Sequence, residues 1–378
     1  MIRLSVPTIE QDDLDAVQTV LKTGFLVQGP QVARFEAAMC AITGSKYAVA
    51  LTNCTAALQF ALLAIDVRPG DMVLVTAYSW LSTANVIELC GAQPVFVDID
   101  ARTFNMSPDA LEETLGRLAQ AGDTLRRVRA VLPVHTFGQT ADMTRILEIA
   151  GRHGLPVIED AACALGATWN GKPAGSMGLM GCFSFHPRKA VTTGEGGAIT
   201  TDDISIANRM RALRNHGQDP TAGSADFIMP GYNCRMTEFQ GALGVTQLAK
   251  LDRVLDARRS LAKTYEALLS RTPIQAPFVA SCALPTYQSY VTTLPAELAP
   301  RRADLIKSLR EQGVETNIGT WHMPLTRYFR TRYDYREGDF PVTDRVFARS
   351  LTLPLYEGLT EEQLGTVVSK LTQTANLS

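Results

Sequence analysis

Residues 47–65 read YAVALTNCTAALQFALLAI and contain an apolar run, a polar turn and an Ala/Leu-rich segment, in that order. A short, continuously apolar run is typical of a strand that is buried on both faces. Asn53 stands in the polar turn, where its side chain suits the N-cap of a helix. The segment therefore predicts a strand over residues 47–51, a tight turn and a helix over residues 55–65.

The same alternation continues to about residue 201. Apolar runs predict seven strands, at residues 47–51, 73–76, 94–97, 130–134, 156–158, 182–185 and 197–200. Helical patterns lie between them, at residues 55–65, 82–90, 142–153 and 205–215. Strands that alternate with helices at this spacing predict an α/β fold with a mostly parallel mixed sheet that helices cover on both faces.

Beyond residue 247 the pattern changes. Leu251, Val254, Leu261 and Tyr265 recur at helical spacing and predict a long amphipathic helix. The sequence then predicts a strand over residues 287–294, a helix over 301–311, a strand near 314–318 and a last helix from residue 361. We therefore expect a large α/β domain over residues 1–250, N-terminal segment included, and a smaller α+β domain over residues 251–378.

The composition narrows the possible functions. The 378 residues include 36 basic and 38 acidic side chains, for a formal net charge of -2. Such a chain has no global field that would attract nucleic acid or an anionic membrane, and we expect neither partner. The sequence has no P-loop, no G-x-G-x-x-G after a strand and no H-E-x-x-H, and its five histidines lack metal-ligand spacing. We predict no metal site.

The cysteines and the N-terminus bear on location. The seven cysteines are odd in number and form no C-x-x-C pair, which favours reduced thiols over a disulfide or zinc framework. The first ten residues contain no apolar segment typical of a secretion signal. Both features predict a cytoplasmic protein.

Asp160 is the first candidate site residue. It follows Ile158 and Glu159 at the end of a predicted strand. Ligands of open α/β sheets bind beyond the carboxyl ends of the strands, so Asp160 is expected at such a site. The plainer alternative is an aspartate that caps a helix.

Lys189 is the second candidate. It follows the predicted strand at 182–185 and precedes a glycine-rich turn, Thr193-Gly194-Glu195-Gly196-Gly197. In apolar surroundings the pKa of a lysine falls toward neutrality, and the amine then acts as nucleophile or base. A solvated loop lysine is the alternative.

Two further features complete a set. The Asn53-Cys54-Thr55 turn offers backbone N–H groups and a hydroxyl to a phosphate at a helix N-terminus, or caps the helix only. Trp80, just past a strand end, either stacks on a flat ligand or fills the core. A lysine, an acid, an aromatic side chain and a phosphate cradle together match the needs of pyridoxal phosphate (PLP), whose aldehyde, ring nitrogen, ring face and phosphate require these four groups.

Over nearly its whole length the chain resembles the fold type I, PLP-dependent sugar aminotransferases of the DegT type. The matching motifs are Gly29-Pro30, Ala50 to Leu58, Pro69-Gly70-Asp71, Pro133-Val134-His135, Phe137-Gly138-Gln139, Glu159 to Ala162, Phe183 to His186 with Lys189, Thr193 to Gly197, Gly231 to Met236 and Glu337 to Pro341. The resemblance implies PLP as cofactor, with pyridoxamine phosphate (PMP) as its intermediate form.

The resemblance also implies residue roles. Lys189 would form the Schiff base and move the proton, and Asp160 would pair with the pyridinium nitrogen. The remaining cofactor contacts would come from Cys54, Thr55, Trp80, Ser184 and Asn233, the last supplied by the second subunit of a homodimer with sites at the interface. Substrate contacts would come from His186, Glu195, Trp321 and His322. Cys163 departs from the family, whose members often carry Glu, His or Gln there.

The implied reaction moves an amino group from glutamate or glutamine to a keto sugar. Lys189 argues against the dehydratases of the family, which have histidine at this position. The Cys54-Thr55-Ala56-Ala57 turn resembles members, such as GDP-perosamine synthase, that aminate C4 of a 4-keto-6-deoxy nucleotide sugar. The alternatives are C3 of a keto sugar, a cyclitol ketone (inosose), or a non-catalytic regulator that binds PLP or a sugar nucleotide. The product would serve polysaccharide or antibiotic biosynthesis.

Overall fold

The structure is a computed structural model that describes residues 1–377. Its α-helices are α1 (Gln11–Thr23), α2 (Pro30–Thr43), α3 (Cys54–Ala64), α4 (Ser82–Leu89), α5 (Pro108–Gln120), α6 (Met143–Arg152), α7 (Ile204–Arg214), α8 (Glu238–Ala249), α9 (Leu251–Leu269), α10 (Arg302–Glu311), α11 (Arg327–Tyr333), α12 (Pro341–Arg349) and α13 (Glu361–Ala375). Its strands are β1 (Tyr47–Leu51), β2 (Met72–Thr76), β3 (Tyr78–Ser79), β4 (Gln93–Val97), β5 (Val128–Leu132), β6 (Ile158–Asp160), β7 (Thr168–Trp169), β8 (Lys172–Pro173), β9 (Met180–Ser184), β10 (Gly197–Thr201), β11 (Ala283–Leu284), β12 (Tyr290–Thr293), β13 (Asn317–Ile318), β14 (Trp321–His322) and β15 (Ser350–Leu353).

The central sheet contains seven strands in the order β1-β10-β9-β6-β5-β2-β4. Parallel bridges from Val131 to Val157 and from Val134 to Asp160 join its two parts. Only β10 runs antiparallel to its neighbours, so six of these seven strands point the same way. The sheet confirms the predicted mostly parallel mixed architecture.

Helices bury both faces of this sheet, as β1 shows. Val49 and Leu51 join a hydrophobic cluster with α3, α4 and α7. Ala48 and Ala50, which point the other way because side chains alternate along a strand, join a cluster with α2 and α8. The unbroken apolar run in the sequence therefore reflects burial on two sides.

The C-terminal part has its own core around a small antiparallel sheet, β12-β15-β13. Helices α9, α10 and α13 pack against this sheet in one cluster of buried residues. Tyr265 of α9 stacks on Tyr290 of β12 with ring centroids 4.7 Å apart. This is the expected α+β arrangement.

The N-terminal segment does not follow the predicted division into domains at residue 250. That domain boundary stays a prediction. Ile2 forms a parallel bridge with Val314. The amide of Leu4 donates to Glu315 Oε2 at 2.8 Å, and the amide of Leu355 donates to the Leu4 carbonyl at 3.2 Å. Residues 2–4 therefore lie on the C-terminal part, although they precede the helices of the large sheet.

Candidate active site

The candidate site lies at one edge of the central sheet, where parallel strands end. β6 ends at Asp160, β9 ends at Ser184 and β1 leads through Asn53 into α3. Because these three strands run in the same direction, their carboxyl ends meet at this edge, the usual ligand position in open α/β sheets. Lys189 follows β9 by five residues.

Asp160 is a buried carboxylate, 3% exposed. Its Oδ2 accepts a hydrogen bond from Thr83 Oγ1 at 2.7 Å, and its Oδ1 accepts one from the Ala162 amide at 3.1 Å. Burial raises the pKa of Asp160, against the hydrogen bonds from Thr83 and Ala162 and the charge of Lys189. The site therefore holds a carboxylate that would gain from a cationic partner.

Glu159, the neighbouring acid, has a structural role. Its carboxylate accepts hydrogen bonds from the amides of Gly175, Met177 and Gly178 at 2.6–2.8 Å. His135 Nε2 lies 2.8 Å from Glu159 Oε2 and, since Nδ1 accepts from the Ala141 amide, Nε2 carries the donated proton. This acid is fully engaged, which leaves Asp160 for the ligand.

Lys189 points its amine into the same site. Nζ donates to Cys163 Sγ at 3.1 Å. Burial lowers the pKa of Lys189, but the contact with Cys163 and the charge of Asp160 outweigh it, so that this pKa lies above its ordinary value. The lowered pKa expected from sequence was wrong for the free protein, because the sequence did not reveal the acceptors around the amine.

The first turn of α3 forms a cradle of backbone donors. Asn53 caps the helix, and its side chain accepts from the Ala56 amide at 2.8 Å. The amides of Cys54 and Thr55 belong to the first turn and have no acceptor within the helix. A Cβ at Gly197 would lie 2.3 Å from the Asn53 carbonyl carbon and 2.7 Å from the Cys54 nitrogen, so only glycine allows β10 this approach.

The side chains of that turn differ. Thr55 is exposed, as a hydroxyl that meets a ligand must be. Cys54 is buried, and burial raises the pKa of its thiol well above the ordinary value. The thiol therefore stays protonated and unreactive at neutral pH. The predicted phosphate contact of Cys54 would come from its backbone.

Three more predicted cofactor residues occupy open positions. Trp80 is 63% exposed just past β3. Ser184 is half-buried, and its Oγ accepts from the His186 amide at 3.4 Å. Asn233 is exposed in a bridge with Asn215. Their contacts with a cofactor stay predictions.

The predicted substrate residues of the 186–195 loop lie beside Lys189. His186 Nδ1 accepts from the Arg188 amide at 3.2 Å, and burial lowers the pKa of His186 despite the charge of Glu195. Glu195 is exposed. The imidazole is therefore neutral at physiological pH, and the carboxylate is free to meet a ligand.

Trp321 and His322 face different surroundings. Strand β14 pairs with β3 so that Trp321 lies opposite Ser79, and Trp321 is 41% exposed. His322 is only 2% exposed, and its Nε2 lies 2.8 Å from Asp344 Oδ1. Burial lowers the pKa of His322. This position gives no support to a direct substrate contact of His322; its pairing with Asp344 instead fixes β14.

The sequence reasoning missed Thr83. Its hydroxyl donates to Asp160 and lies 3.4 Å from Ser79 Oγ, which links the β3–β14 ribbon to the carboxylate. Thr83 lies in the first turn of α4, three residues after Trp80, which the sequence analysis singled out. Thr83 and Asp160 lie 77 residues apart in sequence, so no local signal connects them.

The described residues fit PLP. The buried carboxylate of Asp160 has two hydrogen-bond donors, and a ring cation would supply the missing charge. The positive end of α3 offers free amides to a phosphate. The Lys189 amine lies close enough to Asp160 for their charges to interact. The four-group set that the sequence predicted is thus brought to one edge, with Trp80 exposed beside it.

The fold and this edge define a fold type I aminotransferase. Residues 7–372 match the DegT/DnrJ/EryC1/StrS aminotransferase family, and the chain belongs to that family. This membership confirms the resemblance and the enzyme class inferred from the sequence, a PLP-dependent sugar aminotransferase.

Individual relatives are similar over almost their full length. GDP-perosamine synthase of Caulobacter vibrioides is 37% identical, with 98% of each chain covered. The spore coat polysaccharide biosynthesis protein SpsC of Bacillus subtilis is 35% identical, with 96% of this chain and 94% of SpsC covered. The PMP-form of Spr1654 from Streptococcus pneumoniae superposes with a TM-score of 0.93 at 25% identity, over 100% of this chain and 99% of Spr1654. Its PLP-form gives a TM-score of 0.92.

Proposed function

We propose that this enzyme transfers an amino group from glutamate or glutamine to C4 of a 4-keto-6-deoxy nucleotide sugar. The observation that carries the proposal is the convergence of the Lys189 amine and the buried Asp160 carboxylate on one edge of the sheet. Two features favour C4: the Cys54-Thr55-Ala56-Ala57 turn and the 37% identity to a GDP-perosamine synthase.

The residues of the chain divide the work. When bound, PLP supplies a ring that withdraws electrons from the reacting carbon. Asp160 favours the protonated ring nitrogen, because a buried carboxylate stabilises a cation beside it. Thr83 holds the carboxylate in place. Lys189, whose free amine donates to Cys163 Sγ, would bind the aldehyde of the cofactor and is placed to carry a proton to and from the substrate carbon.

The active enzyme is proposed to be a homodimer. Asn233 is exposed and lies in the loop that follows α7, which suits a contact with the phosphate of a second subunit. Sedimentation of the PLP-loaded protein tests the dimer, and Asn233→Ala tests the shared site. A monomer with full activity would contradict this part.

The location of the enzyme is also a proposal. Within residues 1–377, no helix combines the length and the apolar character needed to cross a bilayer. The keto-sugar and amino-acid substrates that we propose are cytoplasmic metabolites, and we propose that the enzyme works there.

The decisive experiment incubates the PLP-loaded protein with glutamate and a panel of keto sugars. Mass spectrometry should show an amine on a 4-keto-6-deoxy nucleotide sugar, and NMR should place it at C4. An amine at C3, or on an inosose, would move the assignment to those alternatives. A protein that binds PLP but shows no change of its visible spectrum with any donor would be the non-catalytic regulator.

A further inference from the structure

An open cleft begins one residue from Lys189. Its volume is about 100 Å³, enough for a small group such as a carboxylate and its neighbouring atoms. Its polar lining comes from Ser5, Arg188, Gln288, Ser289, Asn317 and Thr352. The lining includes one cation and no acid, so the cleft favours an anionic ligand.

Arg188 is held by its backbone and free at its charged end. Its amide donates to His186 Nδ1 at 3.2 Å, and its carbonyl accepts from Gln288 Nε2. Within residues 1–377 its guanidinium has no hydrogen-bond or ion-pair partner, and the residue is exposed. By contrast, Arg214, near β1, is buried and pairs with Glu36 at 2.5 Å. Arg188 is thus a positioned cation without a counter-ion.

Asn317 adds a neutral donor to the lining of the same cleft. Its Oδ1 accepts from the Ile318 amide at 2.8 Å, which leaves Nδ2 as a donor toward the cleft. Pairing of β13 with β15 fixes its backbone. Glu315, two residues before Asn317, is outside the cleft lining, and its carboxylate accepts from the Leu4 amide at 2.8 Å.

We propose that Arg188, assisted by Asn317, binds a carboxylate of the amino-acid donor. A guanidinium recognises a carboxylate through two parallel hydrogen bonds, and an amide N–H adds a third. The α-carboxylate of an amino acid is one bond from its reacting carbon. One segment links the cleft to the reacting amine: Thr286 Oγ1 donates to the carbonyl of Cys163, the residue that Lys189 contacts, and Gln288, two residues later, donates to the Arg188 carbonyl. Arg188 is therefore the cation that such a carboxylate would meet beside Lys189. This inference rests on the proposed aminotransferase function and names its donor site.

Binding of a non-reacting dicarboxylate tests the site without turnover. Isothermal titration of the PLP-loaded protein with glutarate should give an affinity at least about tenfold weaker in Arg188→Gln and about threefold weaker in Arg188→Lys, which keeps the charge but loses the paired geometry. Arg310→Gln, on the exposed face of α10 and outside the cleft lining, is the matched control and should bind as the wild type does. Equal glutarate affinity in the wild type and Arg188→Gln would overturn the proposal.

Separate assays of the two half-reactions, one with the amino-acid donor and one with the nucleotide sugar, show which of the two substrates Arg188 binds. Loss of the PLP absorbance with glutamate should require at least about tenfold more glutamate in Arg188→Gln, whereas the PMP-loaded variant should react with the keto sugar within twofold of the wild type. If Arg188→Gln instead slowed only the reaction with the keto sugar, or weakened only the binding of a nucleoside diphosphate, Arg188 would be assigned to the diphosphate. Either result would overturn the donor site.

A second variant, Asn317→Ala, tests the proposal if Arg188→Gln fails to fold or to bind PLP. Asn317→Ala should weaken glutarate binding about threefold or more with its melting temperature unchanged, and unchanged binding would then overturn the proposal. A wild type that binds glutarate through Arg188 yet converts no keto sugar would leave the anion site standing and reject the proposed function.

Discussion

The two sides of the candidate active site are built differently. The buried side, formed by Thr83, Asp160 and Lys189, has every polar group engaged in a hydrogen bond. The open side, formed by Trp80, Arg188 and Trp321, presents exposed side chains. A side whose carboxylate is already held in place suits a resident cofactor, because Asp160 needs no rearrangement to receive it. The open side is where we propose that a substrate or a second subunit binds.

Lys189→Ala is expected to have the largest effect on turnover, because it removes the reactive amine of the buried side. We expect turnover to fall by at least about 10⁴-fold, because both the covalent attachment and the proton transfer are lost. Circular dichroism should show an intact fold, since within residues 1–377 the amine donates its one hydrogen bond to Cys163. Rapid-mixing assays with glutamate measure the loss. Normal turnover in this variant would refute the role of Lys189.

Asp160→Asn should lower turnover by about 10²–10³-fold and stabilise the cofactor-free protein. The folded state raises the pKa of Asp160, so the ionised carboxylate disfavours folding. This cost grows as the pH rises from the unfolded pKa through the folded pKa, and Asn removes it. The difference in melting temperature between the variant and the wild type should therefore be larger at pH 7 than at pH 4. A variant that is less stable than the wild type at pH 7 would contradict the argument.

Thr83→Val tests the contact that supports Asp160. The substitution keeps the shape of the side chain but removes the 2.7 Å hydrogen bond, so we expect about a tenfold loss in kcat/KM and about 1 kcal/mol of stability. Thr83 lowers the pKa of Asp160, and its loss should raise that pKa further. A pH profile of PLP binding would reveal the shift, and Thr83→Ser should restore it.

Trp321→Ala and His322→Ala separate the open side from the interior. Trp321→Ala should raise the KM for the keto sugar about fivefold with little change in melting temperature, since the side chain is exposed. His322→Ala should instead cost about 2–3 kcal/mol of stability, because it removes a buried side chain and leaves Asp344 with the Gly338 amide as its remaining donor. Thermal melts and steady-state kinetics of the two variants give the comparison. Equal destabilisation of both would show that the ribbon is not divided in this way.

Much of the fold was accessible from local sequence signals. All seven predicted strands of the central sheet lie within two residues of the observed bounds, because buried strands between helices leave continuous apolar runs. Helix α5 was missed although Ser107 caps it and Pro108 opens it, both readable signals. Strand β15 reads only Ser-Leu-Thr-Leu, and its pairing with β12 and β13 on either side makes it a strand.

The site divides in the same way. Asp160 and Lys189 were accessible because each follows a predicted strand, and strand ends meet at one edge. The contact of Thr83 with Asp160 joins residues 77 apart in sequence, and that of His322 with Asp344 joins residues 22 apart. Such partners depend on tertiary packing and leave no local pattern.

The N-terminal segment ties the two parts of the molecule together a second time. Residues 2–4 are bound to the C-terminal part, and α1, a few residues later, packs on α8 beside the large sheet. The continuous run from α8 into α9 is the other connection. Two connections between the large-sheet part and the C-terminal part restrict their relative movement more than one connection would. The N-terminal connection includes Leu4 and Ser5, which line the cleft. A purification tag placed ahead of Met1 would therefore lie close to a wall of the proposed donor cleft, and a tag at the other terminus is the safer choice for kinetics.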